Sequence, residues 1–309
     1  MGSTVLVVAH ELDLHAKAVC STLRSDFGVN AVQLDTADLP SAASAYRQKW
    51  GNSSRFVGEA NLDDIKSIWW RRPKRCNIPS SLDLSHDEFR QTESDEFVQG
   101  LLWSLGATWV NDPGAQHVAL RKIVQLEAAK TVGLPVPETL ITNDPEVAEA
   151  FLSGRPGPVI CKRTGTGSNQ FSETRVVTEA DLPRLHAIQL APTTFQEFIE
   201  PDCDLRVVWI SGQAWTVRID SRAGAGWVDS RMDNTVSFQP WELPASTSEG
   251  LDALMRKLGL AFGVIDLRIS ARDNLVYFLE VNPQGQFVYL EVKTGLPIVR
   301  SVAASLAGR

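Results

Sequence analysis

The hydrophobic pattern near the N-terminus alternates between strand-like and helix-like segments. Residues 4–9 (TVLVVA) form a continuous apolar run, as in a strand that is covered on both faces. A helical pattern follows from Asp13 to Phe27, and apolar runs at Val29–Leu34 and Ser67–Trp70 predict two more strands. This alternation predicts a small parallel α/β domain, although its first turn lacks the GxGxxG fingerprint of a dinucleotide-binding fold.

A strongly amphipathic segment runs from Gln116 to Val132 and predicts one long helix. Gly133, Pro135 and Pro137 follow it in the order that typically ends a helix. Patterns on either side predict shorter elements, namely helices near Asp87–Leu105 and Pro145–Leu152 and strands near Thr108–Asn111, Thr139–Thr142, Val159–Lys162, Thr174–Thr178 and Thr193–Ile199.

Beyond Pro201 the pattern changes to hairpins. Leu205–Ile210 and Ala214–Ile219 flank a Ser-Gly-Gln turn, and Gly263–Ala271 and Leu275–Val281 flank Arg-Asp-Asn. Between the hairpins lie a polar, irregular stretch and a helix, near Ser221–Trp241 and Thr247–Leu260. These patterns predict a mixed α/β (α+β) chain with boundaries near 115 and 200, which gives three domains: 1–115, 116–200 and 201–309.

Composition narrows the classes of function. The 309 residues carry a formal net charge of -7, which argues against non-specific binding of nucleic acid. No apolar run approaches the roughly 20 residues of a membrane span, and the N-terminal apolar stretch has no preceding positive charge, as a signal peptide would. The four cysteines form no CxxC pair and the five histidines have no metal-ligand spacing, so we expect a cytoplasmic protein without structural zinc.

Candidate metal ligands lie in the last predicted hairpin. Asp266 interrupts an apolar strand, and the next strand carries Glu280 and Asn282 two residues apart. If the two strands pair, all three side chains can lie on one face, where carboxylate and amide oxygens suit Mg²⁺ together with phosphate oxygens. The alternative interpretation is that nearby arginines simply neutralise the acids: Arg218, Arg268 and Arg272.

Candidate phosphate ligands lie upstream. Lys162 ends a predicted strand directly before Arg-Thr-Gly-Thr-Gly-Ser, and a lysine followed by a glycine loop can hold phosphates. Lys122 on the predicted long helix could supply a second phosphate contact or could simply be solvated. A later strand leads into a connector between two domains, which could offer backbone groups and apolar walls to a flat heterocycle: Gln196, Glu197, Phe198 and Ile199.

Taken in order, these elements resemble the ATP-grasp superfamily over roughly residues 116–295. The matching positions are Lys122, Lys162 with its glycine loop, Glu197-Phe198-Ile199, Asp204-Leu205-Arg206, Asp266 and Glu280-Val281-Asn282-Pro283. The resemblance implies an ATP-grasp fold behind an N-terminal parallel α/β pre-ATP-grasp domain. It also implies that the protein binds ATP and Mg²⁺, with the metal held by Asp266, Glu280 and Asn282.

A narrower resemblance is carried by Trp69-Trp70-Arg71-Arg72-Pro73, by Asn282–Phe287 and by Glu291 with Thr294–Pro297. These segments look like the microviridin-type peptide macrocyclases, the graspetide synthetases. The family implies a precursor peptide with a leader segment as partner, and esters from Asp or Glu to Ser or Thr, or amides to Lys. A homodimer is a further expectation. The two tryptophans and two arginines could line a groove, or the tryptophans could belong to the core with solvated arginines beside them.

The implied enzyme is an ADP-forming ligase that activates a carboxylate as an acyl phosphate. Lys122 and Lys162 would steady the phosphates, and Asp204 would contact the ribose or a lid, or be a plain surface acid. Arginines that could grip the acceptor carboxylate are Arg218, Arg231 and Arg268, with Arg218 and Arg268 preferred. Alternatives are an ATP-grasp ligase that adds a free amino acid to a peptide, protein or small molecule, and a non-catalytic binding module.

Overall fold

The N-terminal part of the computed structural model is an α/β unit built on a parallel sheet. The structure describes residues 4–41, 44–50, 52–57, 60–79, 86–165, 174–220 and 236–309. The first elements are β1 (Thr4–Ala9), α1 (Leu14–Phe27), β2 (Asn30–Leu34), β3 (Ser44–Lys49), β4 (Asn52–Val57), β5 (Ala60–Asn61), β6 (Ile65–Arg72), α2 (Asp87–Trp103) and β7 (Thr108–Val110). Strands β2, β1, β6 and β7 lie side by side in that order and pair in parallel, which confirms the predicted alternation.

Local chemistry sets the ends of α1. The Asp13 carboxylate accepts a hydrogen bond from the Ala16 N–H at 2.8 Å and caps the helix. Gly28, in the left-handed region at φ 64°, ends it. The sequence did not predict the small antiparallel sheet of β3, β4 and β5, because β3 (SAYRQK) is mostly exposed and shows no alternation of apolar and polar residues.

The middle of the chain forms an antiparallel sheet of its own. Its elements are α3 (Pro113–Ala119), α4 (Lys122–Thr131), β8 (Thr139–Thr142), α5 (Pro145–Ser153), β9 (Val159–Arg163), β10 (Arg175–Val176) and β11 (Thr193–Glu197). The sheet order is β10, β9, β11, β8. It packs on a small separate core: Ala148, Val159, Ile188 and Phe195. Residues 166–168 of the predicted glycine loop, which runs from 163 to 168, lie outside the described residues.

The prediction of one helix from Gln116 to Val132 is wrong. Arg121 is extended (φ -85°, ψ 115°), so α3 ends at Ala119 and α4 begins at Lys122. The buried Gln125 amide donates to the Ala119 carbonyl at 2.6 Å, which satisfies a group that the break would otherwise leave unpaired. This contact is invisible to hydrophobic periodicity, and its consequence is that Lys122 is the first residue of a helix.

The C-terminal part is a larger antiparallel sheet with helices. Its elements are β12 (Pro201–Ile210), β13 (Gln213–Ile219), β14 (Phe238–Trp241), α6 (Ala245–Leu258), β15 (Phe262–Ser270), β16 (Val276–Asn282), α7 (Val288–Thr294) and α8 (Ile298–Leu306). Both predicted hairpins are confirmed within the sheet order β14, β13, β12, β15, β16. In the stretch predicted to be irregular, Phe238–Trp241 is a strand, and residues 221–235, including Arg231, lie outside the described residues.

One hydrophobic core joins the N-terminal and C-terminal parts. Trp69 from β6 packs against Phe262 and Phe287 from the C-terminal part, and α1 packs against α8. Phe287 is fully buried, so the turn that follows β16 is held at the contact between the two parts. Among the described residues, no helix combines the length and the apolar character needed to cross a lipid bilayer.

Candidate functional site

Pairing between β15 and β16 brings the predicted metal ligands together. Asp266 lies directly opposite Glu280, and Asn282 lies two residues further on, opposite Val264. Directly opposed residues have their side chains on the same face, as do residues two apart in a strand. The register shifts beside this pair, which leaves Leu279 as an extra residue of the kind that re-aims neighbouring side chains. The predicted proximity is confirmed, and the role in binding metal stays a prediction.

Each of the opposed acids contacts a cation. The Lys122 ammonium binds the Glu280 carboxylate, and Arg206 Nη1 donates to Asp266 Oδ1 at 2.6 Å. Both cationic side chains are largely buried, at 13% and 9% exposure. Burial lowers the pKa of Lys122, and the charge of Asp266 opposes that shift. The site is therefore a compact set of alternating charges at the end of β16.

The donor set fits a hard cation that is shared with another ligand. Two carboxylates and an amide are oxygen donors of the type that Mg²⁺ prefers, and Mg²⁺ usually completes its shell with water and substrate phosphates. Within the described ranges, no group of three His, Cys, Asp or Glu side chains is placed to hold a metal by itself. The Asn282 side-chain oxygen accepts from the Gln284 N–H at 2.9 Å, which orients its amide beside the two acids. A metal here would need phosphate oxygens.

Lys162 faces this cluster from the central sheet. Its Nζ donates to Gln196 Oε1 at 2.8 Å, and the Gln196 amide in turn donates to Thr139 at 2.8 Å. Burial first, and then the nearby positive charges of Lys122 and Arg268, lower the pKa of Lys162 to about 7, while the charge of Asp266 opposes the shift. A lysine with this pKa beside other cations is a site where an anion gains a strong electrostatic advantage.

Next to Lys162, the connector between the sheets contacts Arg268. The Phe198 ring lies 5.8 Å from the guanidinium carbon of Arg268, and the Ile199 carbonyl accepts from Arg268 Nη1 at 3.2 Å. Arg268 also binds both carboxylate oxygens of Asp204, at 2.7 and 3.0 Å. The structure thus brings together Phe198, Ile199, Asp204 and Arg268, but it pairs the last two with each other.

Glu197 is turned away from this group. Its carboxylate lies 3.4 Å from Arg155 Nη2 and 3.5 Å from Arg272 Nη1. Because successive side chains of a strand point to opposite faces, Glu197 projects away from the side on which Gln196 meets Lys162. Only its backbone remains suited to line a site shared with Lys162.

The sheet register places Arg218 away from the metal candidates. Arg218 lies opposite Leu205, and Leu205 lies opposite Leu267. Arg206 and Asp266, which oppose each other, therefore occupy the other face of the same sheet. Arg218 instead contacts the Asp202 carboxylate at 3.4 Å and the Trp241 ring at 5.0 Å. The structure does not bring Arg218 to the Asp266–Glu280 cluster.

Two further arginines are important here: no individual role was predicted for Arg206, and Arg71 was expected either to line a groove or to be solvated. Arg206 interrupts a buried apolar strand, which is the signal that could have identified it. Trp69 and Trp70 are core residues, but the arginine that follows them is not solvated: Arg71 is fully buried. It donates to the carbonyls of Gln284 and Gly285 at 3.2 and 3.0 Å, and it thereby anchors the turn that follows Asn282.

The chain is similar to known proteins over part or all of its length. The family described as "MvdD pre-ATP grasp domain" matches residues 4–117. Macrocyclase MdnC from Microcystis aeruginosa MRC, solved with the precursor peptide MdnA, is 27% identical, with a TM-score of 0.87 over 98% of this chain and 99% of that one. Macrocyclase MdnB from the same organism is 26% identical, with a TM-score of 0.81 over 98% and 99%.

A third structure shows the same fold. It is a RiPP-associated ATP-grasp ligase from Chryseobacterium gregarium in complex with ADP and a leader and core peptide, 23% identical with a TM-score of 0.88 over 99% of this chain and 97% of that one. A search of curated proteins finds no match. The mixed α/β fold, which in the described residues has a parallel N-terminal sheet and three antiparallel sheets, matches 99% of the MdnC and MdnB chains. The N-terminal part of the chain therefore matches the pre-ATP-grasp family, and the whole chain shares its fold with ATP-grasp peptide macrocyclases, a likeness that supports a graspetide synthetase.

Proposed function

We propose that the protein is an ATP- and Mg²⁺-dependent, ADP-forming ligase that crosslinks side chains of a precursor peptide. It activates Asp or Glu carboxylates as acyl phosphates and joins them to Ser or Thr hydroxyls or to Lys amines, which gives macrocyclic esters or amides. The observation that carries this proposal is the opposed pair Asp266 and Glu280 with Lys122, Lys162 and Arg206 around it. This set lies in a chain that shares its full-length fold with peptide macrocyclases.

Metal and phosphate binding would use the charges that pair in the structure. Asp266, Glu280 and Asn282 would hold Mg²⁺, which neutralises charge on the transferred phosphoryl group when bound. Lys122 would exchange Glu280 for a phosphate oxygen, and Lys162 would supply a second cation from the central sheet. Such exchange keeps the charges of Lys122 and Glu280 paired, and a phosphate beside Lys162 would offset the positive charges of Lys122 and Arg268 that lower its pKa.

The connector would hold the rest of the nucleotide. The backbone of Glu197, Phe198 and Ile199 would line the base, and Asp204 would meet the ribose while Arg268 keeps its carboxylate in place. The connector begins in the proposed central domain, residues 116–200. In sequence this domain lies between the proposed domains 1–115 and 201–309.

Arg206 is better placed than Arg218 to bind the acceptor carboxylate. It lies on the same face as Asp266, and its Nη2 donates to the Gln286 carbonyl at 3.3 Å, directly after the metal strand. A guanidinium there could hold the peptide carboxylate and then stabilise negative charge on the acyl phosphate. The carboxylate oxygen bonds to phosphorus as ADP leaves, and a hydroxyl or amine then bonds to the acyl carbon as phosphate leaves and one proton is released.

The partner in this proposal is a precursor peptide with a leader segment. The MdnC structure holds a precursor peptide, and the Chryseobacterium structure holds a leader and core peptide. We expect the protein to be a homodimer in the cytoplasm. Light scattering coupled to size-exclusion chromatography would measure the mass of the particle with and without the peptide.

The test uses the peptide encoded by a short open reading frame next to the gene for this protein. The peptide is incubated with the protein, ATP and Mg²⁺, and mass spectrometry measures its change in mass. We expect the peptide to lose the mass of one water for each crosslink, and one ADP to form for each water lost. Mild base would cleave esters and leave amides intact. Glu280→Gln is the matched control, because it keeps the side-chain shape and removes one charge of the proposed metal site. A mass gain equal to an added amino acid would instead show a conventional peptide ligase.

A further inference from the structure

Strand β16 carries two of the proposed metal ligands, and it is the last strand in the order of its sheet. Alternate residues of an antiparallel strand direct their N–H and C=O groups away from the partner strand, so an edge strand needs other partners for them. Val281, between Glu280 and Asn282, finds both partners on one side chain. The Gln125 amide donates to the Val281 carbonyl at 2.8 Å, and its oxygen accepts from the Val281 N–H at 3.0 Å.

Helix α4 contacts β16 at two successive residues of the strand. Gln125 is three residues after Lys122, so the two side chains lie on the same face of the helix. Lys122 binds Glu280 while Gln125 binds the backbone of the next residue, Val281. The third contact of Gln125, to the Ala119 carbonyl at 2.6 Å, ties the same amide to the end of α3.

Burial makes these hydrogen bonds difficult for water to replace. Gln125 is 4% exposed, so water cannot replace its amide without entering the contact between α4 and β16. Its loss would leave three backbone groups without partners: the Val281 N–H, the Val281 carbonyl and the Ala119 carbonyl. A rotation of the backbone at Val281 would re-aim the side chains on both sides of it, which are Glu280 and Asn282.

We propose that Gln125 is a positioning residue for the metal–nucleotide complex. It fixes the distance between Lys122, which would hold a phosphate, and the strand residues Glu280 and Asn282, which would hold Mg²⁺. The inference rests on the proposed function for the identity of the ligand, a nucleoside diphosphate or triphosphate with a divalent cation. The position of the amide itself rests on the three hydrogen bonds.

Calorimetric titration with ADP, with and without Mg²⁺, separates positioning from simple support of the fold. In Gln125→Met we expect the gain in ADP affinity that Mg²⁺ provides to fall about 10-fold or more, as when groups that orient metal ligands are removed. The affinity for ADP without metal should stay close to that of the wild type, because Lys122 and Lys162 remain. Equal loss with and without Mg²⁺, or no loss in either, would overturn the proposal.

Gln116→Met is the matched control, since Gln116 is also a buried glutamine, at 2% exposure, but it contacts the Asn111 side chain and not β16. A thermal melt of both variants shows whether they fold. We expect the control to keep the full Mg²⁺ effect at a similar loss of stability. If the control loses the Mg²⁺ effect as strongly as Gln125→Met, the role is structural support and the proposal fails.

Gln125→Glu gives a second, independent test. A neutral carboxylic acid has one donor and one acceptor and can reproduce both contacts with Val281, whereas a carboxylate cannot donate. Burial raises the pKa of such an acid. We therefore expect the Mg²⁺ effect of this variant, divided by that of the wild type, to be larger at pH 6 than at pH 8.5. A ratio that is low and independent of pH would contradict the inference.

The same titrations distinguish failure of this inference from failure of the proposed function, because they need no peptide. Wild-type protein without any Mg²⁺-dependent affinity for ADP would refute the proposed function. Wild-type protein with that affinity, together with an unaffected Gln125→Met, would refute the role of Gln125 alone.

Discussion

Nucleotide affinity should fall as the pH rises above 7, because the proposed phosphate ligand Lys162 loses its proton in that range. Its pKa is lowered to about 7, first by burial and then by the positive charges of Lys122 and Arg268. The ammonium form, which attracts phosphate, is present below this pKa and disappears above it. A bound phosphate reverses the balance of charge and holds the lysine protonated, so binding above pH 7 must take up a proton.

The magnitude follows from the protonated fraction of the free protein. For a pKa of about 7, that fraction is roughly 0.9 at pH 6 and roughly 0.1 at pH 8, so the Kd should rise about 10-fold, or about 1.4 kcal/mol. Above pH 7 the Kd should rise by a factor that approaches about 10 for each further pH unit, until the pH reaches the pKa of Lys162 in the complex. Proton uptake on binding at pH 8 should approach about 0.9 per site.

Calorimetry with Mg²⁺ and ADP in buffers of different ionisation enthalpy measures both quantities. Lys162→Arg should flatten the profile, because a guanidinium keeps its charge throughout this range. Lys162→Met should bind ADP more weakly and with little dependence on pH. Any pH dependence that remains in this variant comes from the nucleotide and from other groups. A wild-type affinity that is constant between pH 6 and pH 9, or equal proton uptake by wild type and Lys162→Met, would refute the reasoning.

Three further substitutions test the surroundings of the site. Arg206→Met should lower the crosslinking rate about 100-fold, as loss of one charge-stabilising donor does. A quenched-flow assay with mass detection measures this rate, and an unchanged rate would exclude Arg206 from the reaction. Gly285→Ala should lower the free energy of unfolding by roughly 1–3 kcal/mol in urea, since the added methyl group would overlap the Val264 side chain; equal stability would show that the turn can move. Arg71→Met should cost roughly 3–5 kcal/mol in the same assay, because it leaves the buried Asp13 carboxylate without its ion pair at 3.2 Å, and a loss below 1 kcal/mol would contradict that account.

Hydrophobic periodicity predicted the sheets well wherever a strand is buried. Both faces of Thr4–Ala9 and of Leu205–Ile210 are covered, and their residues are apolar apart from Thr4 and Arg206, so the composition indicates that these strands are buried. Periodicity failed where a tertiary contact decides the backbone. At the break between α3 and α4 the Gln125 amide donates to the carbonyls of Ala119 and of Val281, and Val281 is distant in sequence.

The candidate site shows a similar division. Asp266 and Glu280 could be identified from residue type alone, since an acid inside an apolar strand needs a partner. The choice among arginines could not be made in this way. Arg206 and Arg218 both lie on strands of the same sheet, and only the register, which alternates faces with every residue, places one beside Asp266 and the other on the opposite face.

In the proposed site, the pairing of charges would make the binding of nucleotide and metal cooperative. Phosphates alone would draw Lys122 away from Glu280 and would leave that carboxylate beside another negative charge. A divalent cation alone would attract Glu280 and Asp266 but would release the Lys122 and Arg206 charges close to itself. The two ligands together satisfy every group at once, so each must raise the affinity for the other by the same factor. That coupling requires the helix with Lys122 and the strand with Glu280 to keep a fixed separation, which is the distance that Gln125 sets through Val281.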